Sequence, residues 1–242
     1  NVPPLDAILV SHMHFDHLSF DSLELLEKKT PRLFVPEGGS VYIPSFAFET
    51  KELRTWQTWE KDGLRITAVP VDHIGWRYGI DQAWMTKSFT GYVIEYHGLT
   101  VYFSGDTAYA EDKFKSTAAR FPHIDLALLP IAPIHPRSFM SRVHTDPDEA
   151  LRAFADLGAK TMVPIHFDTL VNSADARGEA RLTLADLVRR RGLGHRVVTL
   201  RIGEQRVIVP RESGGAAGFL RDGAGPPFAR ARPSLRSPHE PL

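Results

Sequence analysis

With 242 residues, 43% of them hydrophobic and 24% charged, the chain is long enough for one large domain or two small ones and has the make-up of an ordinary globular protein. Its 29 basic and 29 acidic side chains cancel, which leaves no overall electrostatic footprint for a nucleic-acid binder. The absence of cysteine excludes disulfides and thiolate metal ligation, and no apolar stretch is long enough to span a bilayer.

The first predicted strand, residues 7–10, runs into the hexad His12-Met13-His14-Phe15-Asp16-His17. Three imidazoles and a carboxylate crowded this closely lose solvation and repel one another unless a cation holds them. A sulfur-free set of this kind suits a borderline metal such as Zn²⁺, with Fe or Mn as alternatives. A helix is expected at 20–29, then strands at 33–35, 64–71, 90–96 and 99–103, the last two joined by a hairpin turn at His97-Gly98. A helix at 111–120, a strand at 124–130, a helix at 147–157, a strand at 161–165 and a helix at 182–191 follow, with strands at 196–200 and 206–209. The helix at 147–157 has the clearest punctuation. Asp146 can cap it, Pro147 suits its first turn, Glu149 completes a capping box and Gly158 ends it. Trp56 and Trp59 alternate as on a half-buried edge strand.

From Arg211 to Leu242 glycine, proline, serine and arginine dominate without periodicity, so a folded domain is expected over 1–210 and a disordered tail over 211–242. The chain starts at Asn1 rather than Met, which reads as a fragment or a processed product. A cytoplasmic location is the favoured expectation, with an upstream targeting segment left open.

Three further positions carry suitable chemistry at the C-terminal ends of predicted strands: His73 in Val71-Asp72-His73, Asp106 in Ser104-Gly105-Asp106-Thr107, and His166 in Pro164-Ile165-His166. Loops at that edge of an α/β sandwich are where ligands gather.

A hexad HxHxDH followed by a distant His, a Gly-Asp and a late His resembles the metallo-β-lactamase superfamily over residues 5–209. The resemblance implies a four-layer αβ/βα sandwich with two metals, Zn ions first of all, on one edge; the strands expected before Leu5 are then missing. It implies that His12, His14 and His73 hold the first metal, that Asp16, His17 and His166 hold the second, and that Asp106 bridges them. Two metals about 3.5–4 Å apart can share a bridging water and lower its pKa toward ~7, so the hydroxide is the nucleophile and no covalent enzyme intermediate forms. Asp16 would orient that hydroxide.

Residues 102–109, 124–131, Pro136-Arg137-Ser138-Phe139-Met140 and the stretch from His144 to Ala150 resemble the N-acyl-phosphatidylethanolamine phospholipase D-like branch. That resemblance implies a phosphodiesterase acting on a small-molecule or lipid substrate, and peripheral contact with a membrane. It also implies a catalytic role for His144, either donating a proton to the leaving group or stabilising phosphoryl oxygens; a plain polar role at the helix entry is the competing reading. Ala108 stands where the branch has Gly, and Phe167-Asp168 where it has Trp-Gly. Asp168 is expected to cap a turn, with an influence on substrate choice as the alternative. Trp76, Tyr78, Trp84, Met85 and Phe89 form an aromatic loop that either walls an apolar groove or packs a crossover. A lactonase or other ester or amide hydrolase is the alternative activity, and an inactive metal-binding module the alternative of another class. No nucleic-acid partner is expected, given zero net charge and no basic arm.

Overall fold

A computed structural model describes residues 2–84, 87–171 and 173–208. The expected tail, residues 211–242, and Met85 of the aromatic loop lie outside them. Two sheets carry the fold. One has three parallel strands, β1 (Ile8–Leu9), β2 (Arg32–Pro36) and β3 (Glu49–Leu53), in that order. The other has six strands in sequential order: β4 (Thr58–Lys61), β5 (Leu64–Val69), β6 (Gly91–Tyr96), β7 (Leu99–Phe103), β8 (Leu126–Pro130) and β9 (Thr161–Ile165). Pairing is antiparallel from β4 to β7 and parallel from β7 to β9. Strands β5, β7, β8 and β9 therefore point the same way and present their C-terminal ends at one edge.

Side-chain alternation assembles the layers. On β2, Phe34 joins Leu53, Ile66, Ala68 and Tyr92 in a core between the sheets. Its neighbours Leu33 and Val35 face the other way and pack with Leu23 of α1 (Phe20–Leu26). On the large sheet Val69, Val93, Tyr102 and Leu129 turn outward and bury Phe114 of α2 (Glu111–Arg120), Phe154 of α4 (Pro147–Asp156) and Leu184 of α5 (Glu179–Arg190). The order is helix, sheet, sheet, helix. No helix among the described residues is long and apolar enough to cross a membrane.

The expected capping box is present: Asp146 accepts from Glu149 N at 2.9 Å, and Glu149 accepts from Asp146 N at 3.3 Å. Differences from expectation have local causes. Strands β3 (ETKEL) and β4 (TWEK) are edge strands with polar outer faces, so neither forms an apolar run. Trp59 is the half-buried residue of β4, its ring 5.0 Å from Phe34 across the sheets, whereas Trp56 sits in a turn at φ +69°. Helix α5 begins three residues earlier than the apolar pattern suggests, behind Gly178 at φ +82°. The stretch 196–200 is no strand: only Val197 bridges, to Met162 of β9, and only Val197 is buried there. Residues 206–208 form no strand either, and Val209 lies outside the described residues.

Candidate metal centre

The hexad follows β1, His73 lies beyond β5, Asp106 beyond β7 and His166 directly after β9. His144 sits in the loop between a short helix α3 (Arg137–Met140) and α4. All eight predicted site residues meet at one edge of the sandwich, seven of them in two groups and His144 beside Asp106.

In the first group, His12 Nε2 is 3.0 Å from His14 Nδ1, and His73 Nε2 is 3.4 Å from that same nitrogen. Ligand atoms on a tetrahedron with bonds of about 2.0–2.1 Å stand about 3.3 Å apart, so these nitrogens are spaced as a shared cation spaces them. In the second group, Asp16, His17, Asp106 and His166 each offer an atom, all within 4.8 Å of one another. Asp106 Oδ2 lies 3.2 Å from Nε2 of both His17 and His166. The same oxygen lies 3.9 Å from His12 Nε2 and 4.0 Å from His73 Nε2. One carboxylate thus stands between the two groups.

The outer partners fix which ring nitrogens face inward. His73 Nδ1 donates to Val143 O at 2.8 Å, and His166 Nδ1 to Ala132 O at 2.9 Å. A carbonyl only accepts, so both Nδ1 atoms carry a proton and both Nε2 atoms face the site, the nitrogen whose lone pair a neutral imidazole offers to a metal. Ser11 Oγ lies 3.0 Å from His12 Nδ1 and steadies that ring, though a hydroxyl can donate or accept and does not fix the tautomer. Ser11 and these carbonyls gave no signal in the sequence, because a backbone carbonyl has no residue identity and one serine beside a histidine is common.

Burial without partners points the same way. His17 Nε2, Asp106 Oδ1 and His144 Nδ1 are buried side-chain atoms with no hydrogen-bond partner. An orphaned polar atom is costly, and three around one point are what cations held at the centre would satisfy. The donor set, with no sulfur, fits Zn²⁺ and its neighbours in the transition series. His166 itself is held at φ +58°, a backbone region that disfavours side chains and that recurs at functional sites.

Electrostatics separates the groups. Burial, reinforced by the neighbouring imidazoles, pushes His12 well below its ordinary value, and burial brings His73 down to about 3. These imidazoles are neutral, ready to ligate. Burial also opposes the charged form of His17, but Asp106 and Asp16 outweigh it and raise His17 to about 9. Burial works against ionised Asp16 and Asp106 too; contacts with His166 and His17 nonetheless hold both well below the usual carboxylate range.

His144 Nδ1 is 3.7 Å from Asp106 Oδ2, and its ring stacks on His166 at 5.7 Å. Burial lowers it to about 4, so it is neutral at pH 7. Arg137 steadies it from behind by donating to His144 O at 3.1 Å while pairing with Asp146 and Glu149 of the cap.

A cleft of about 550 Å³ opens at the second group, lined by Asp16 and His166 and then by Phe167, Leu170, Val171 and Arg177. The aromatic loop does not wall this cleft. Trp76 instead packs edge-on against His14 at 5.5 Å, while Tyr78 and Trp84 are exposed. Asp168 caps a turn, accepting from Gly178 N at 2.7 Å in front of α5. Away from the centre, His135, Asp175 and Glu179 also cluster, but Asp175 accepts from the amides of Ile134 and His135 and Glu179 from Ala176 N and His135. Those carboxylates serve the local backbone.

A family model described as "Beta-lactamase superfamily domain" matches residues 1–167. Among curated proteins, the chain is 34% identical over 183 residues to "N-acyl-phosphatidylethanolamine-hydrolyzing phospholipase D, mitochondrial" of Saccharomyces cerevisiae, covering 72% of this chain but only 38% of that protein. It is 31% identical over 177 residues to a "UPF0173 metal-dependent hydrolase" of Methanoregula boonei, covering 72% of each. Among solved structures, Igni18, a metallo hydrolase from Ignicoccus hospitalis, superposes with a TM-score of 0.61 at 23% identity, covering 86% of this chain and 78% of that one. The sandwich, the His- and Asp-bearing strand ends and these matches agree: the chain belongs to the metallo-β-lactamase superfamily and to the metal-dependent hydrolases within it.

Proposed function

We propose that this chain is a dinuclear phosphodiesterase that cleaves a lipid or small-molecule phosphodiester, with Zn²⁺ as the resident metal. His12, His14 and His73 would hold one cation, Asp16, His17 and His166 the other, and Asp106 would bridge them. The observation that carries this reading is the position of Asp106 Oδ2, 3.2 Å from two histidines of one group and 3.9–4.0 Å from two of the other. Bound there, two divalent cations supply Lewis acidity to the phosphoryl oxygen and lower the pKa of water toward about 7.

The chain's own residues do the rest. Asp16 is kept ionised by His166 and His17 and lines the cleft, so its carboxylate can accept a hydrogen bond from the attacking water and orient it. His144 is neutral at pH 7 and acts as a hydrogen-bond donor to a phosphoryl oxygen rather than as a charged acid. The choice of a phosphorus over a carbon centre is supported by the likeness to the yeast phospholipase D, of which the chain spans 38%.

Elemental analysis paired with hydrolysis of bis-p-nitrophenyl phosphate tests the proposal. Two metals per chain and turnover abolished by a chelator are expected. Two metals with turnover only on lactones, esters or amides would overturn the phosphodiester assignment and leave the metal centre standing.

A further inference from the structure

Arg77 is buried, with 6% of its surface exposed, yet among the described residues no carboxylate oxygen lies within 4.0 Å of its side-chain nitrogens. A buried cation without a counter-ion is strongly disfavoured unless its surroundings compensate. Part of the compensation is aromatic: the guanidinium carbon lies 4.1 Å from the Phe15 ring centroid and 4.5 Å from that of Phe20. The remainder is directional. Nη1 donates to Met13 O at 2.8 Å and to Leu18 O at 2.9 Å, so both of its hydrogens are used. Nε has no partner.

Those two carbonyls bracket the segment that carries His14, Asp16 and His17. Behind Arg77, the backbone is fastened in turn. Its own amide and that of Tyr78 donate to Asp81 at 2.7 and 2.8 Å, and Asp81 also accepts from the Tyr42 hydroxyl. The chain following His73 is thereby tied, through one side chain, to both ends of the hexad loop.

We infer that Arg77 is a positioning residue for metal binding: a cationic staple that sets the span of residues 13–18 so that His14, Asp16 and His17 meet His73, Asp106 and His166. The inference rests on the proposed metal centre. A fixed span matters because a short loop that delivers ligands to two cations tolerates little error, and supports of ligand geometry are commonly worth about 10- to 100-fold in metal affinity.

Cobalt titration of the apo protein, followed by visible absorption, tests this directly. Arg77→Met fills the space between Phe15 and Phe20 but leaves both carbonyls unpartnered; its cobalt affinity is expected to fall about 10- to 100-fold, with a changed d–d spectrum at saturation. Arg77→Lys keeps the charge but ends one bond short of both carbonyls, and is expected to lose about tenfold. A spectrum and affinity equal to wild type in whichever variant folds would overturn the inference while leaving the metal centre intact. A wild-type protein that takes up no cobalt would overturn the metal centre and this inference with it.

Discussion

Asp106 Oδ2 and His17 Nε2 lie 3.2 Å apart, yet His17 Nε2 has no hydrogen-bond partner. The two atoms are close without being aimed at each other, which is the arrangement of groups converging on a common third point. Asp106→Ala removes the oxygen that faces both histidine groups. The expected outcome is at most one tightly bound metal per chain and a fall in turnover of at least about 10³-fold, read by elemental analysis and initial rates. Two retained metals with near-normal rates would refute the bridging role.

Metal loading should depend on pH in opposite degrees at the two groups. His12 and His73 are held neutral by burial, so the first cation displaces no proton from them between pH 6 and 8. His17, raised to about 9 by Asp106 and Asp16, is protonated in the metal-free protein over that range, and His166 is raised as well. The second cation must therefore expel at least one proton, so its apparent affinity rises about tenfold or more per pH unit until pH reaches about 9. Calorimetry in buffers of different ionisation enthalpy reads the proton count. Zero protons released at both steps would contradict it.

Much of this cluster is legible in the sequence because side chains able to hold a metal are recognised by residue identity and stand at strand ends. The hexad, His73, Asp106 and His166 all meet where their motifs and the preceding apolar strands suggest. What supports them is not legible. Val143 and Ala132 act through carbonyls, and Arg77 looks like one polar residue in an aromatic loop until the fold carries it beneath the hexad. The edge strands β3 and β4 are hard to read for a different reason: their outer faces are polar and each pairs on one side only, β4 with β5 across the turn at Asp62-Gly63 and β3 with β2, so neither shows an apolar run. Of the two readings of the aromatic loop, packing rather than a groove wall fits Trp76 against His14, and the cleft is lined by residues following His166.

His144 separates chemistry from metal holding. It faces Asp106 from 3.7 Å but belongs to neither ligand group. His144→Ala should therefore retain both metals and lose about 10²- to 10³-fold in turnover, the usual worth of one hydrogen bond directed at developing charge. Because burial holds this imidazole at about 4, the loss should be uniform from pH 6 to 8. A loss that is largest at pH 6 and shrinks toward pH 8 would instead mark His144 as a proton donor.

Gly105 tests how closely the two sheets must approach at the site. It has φ +62°, and a Cβ there would stand 2.3 Å from Ser11 Cβ and 2.6 Å from Ser11 Oγ. Ser11 is the residue that holds His12 Nδ1, and Gly105 directly precedes Asp106. Gly105→Ala thus combines left-handed strain, about 1–2 kcal/mol, with overpacking of about 1–3 kcal/mol. The expected result is a melting temperature several degrees lower together with weakened metal binding, since any relief must push Ser11 away from His12 or Asp106 away from the histidines. Gly63, at φ +79° with nothing within 4 Å of where a Cβ would stand, is the control: its alanine variant should bear the conformational strain alone and bind metal normally. Equal metal affinity in both variants would show that Ser11 and Asp106 tolerate displacement and that the close approach at Gly105 serves packing only.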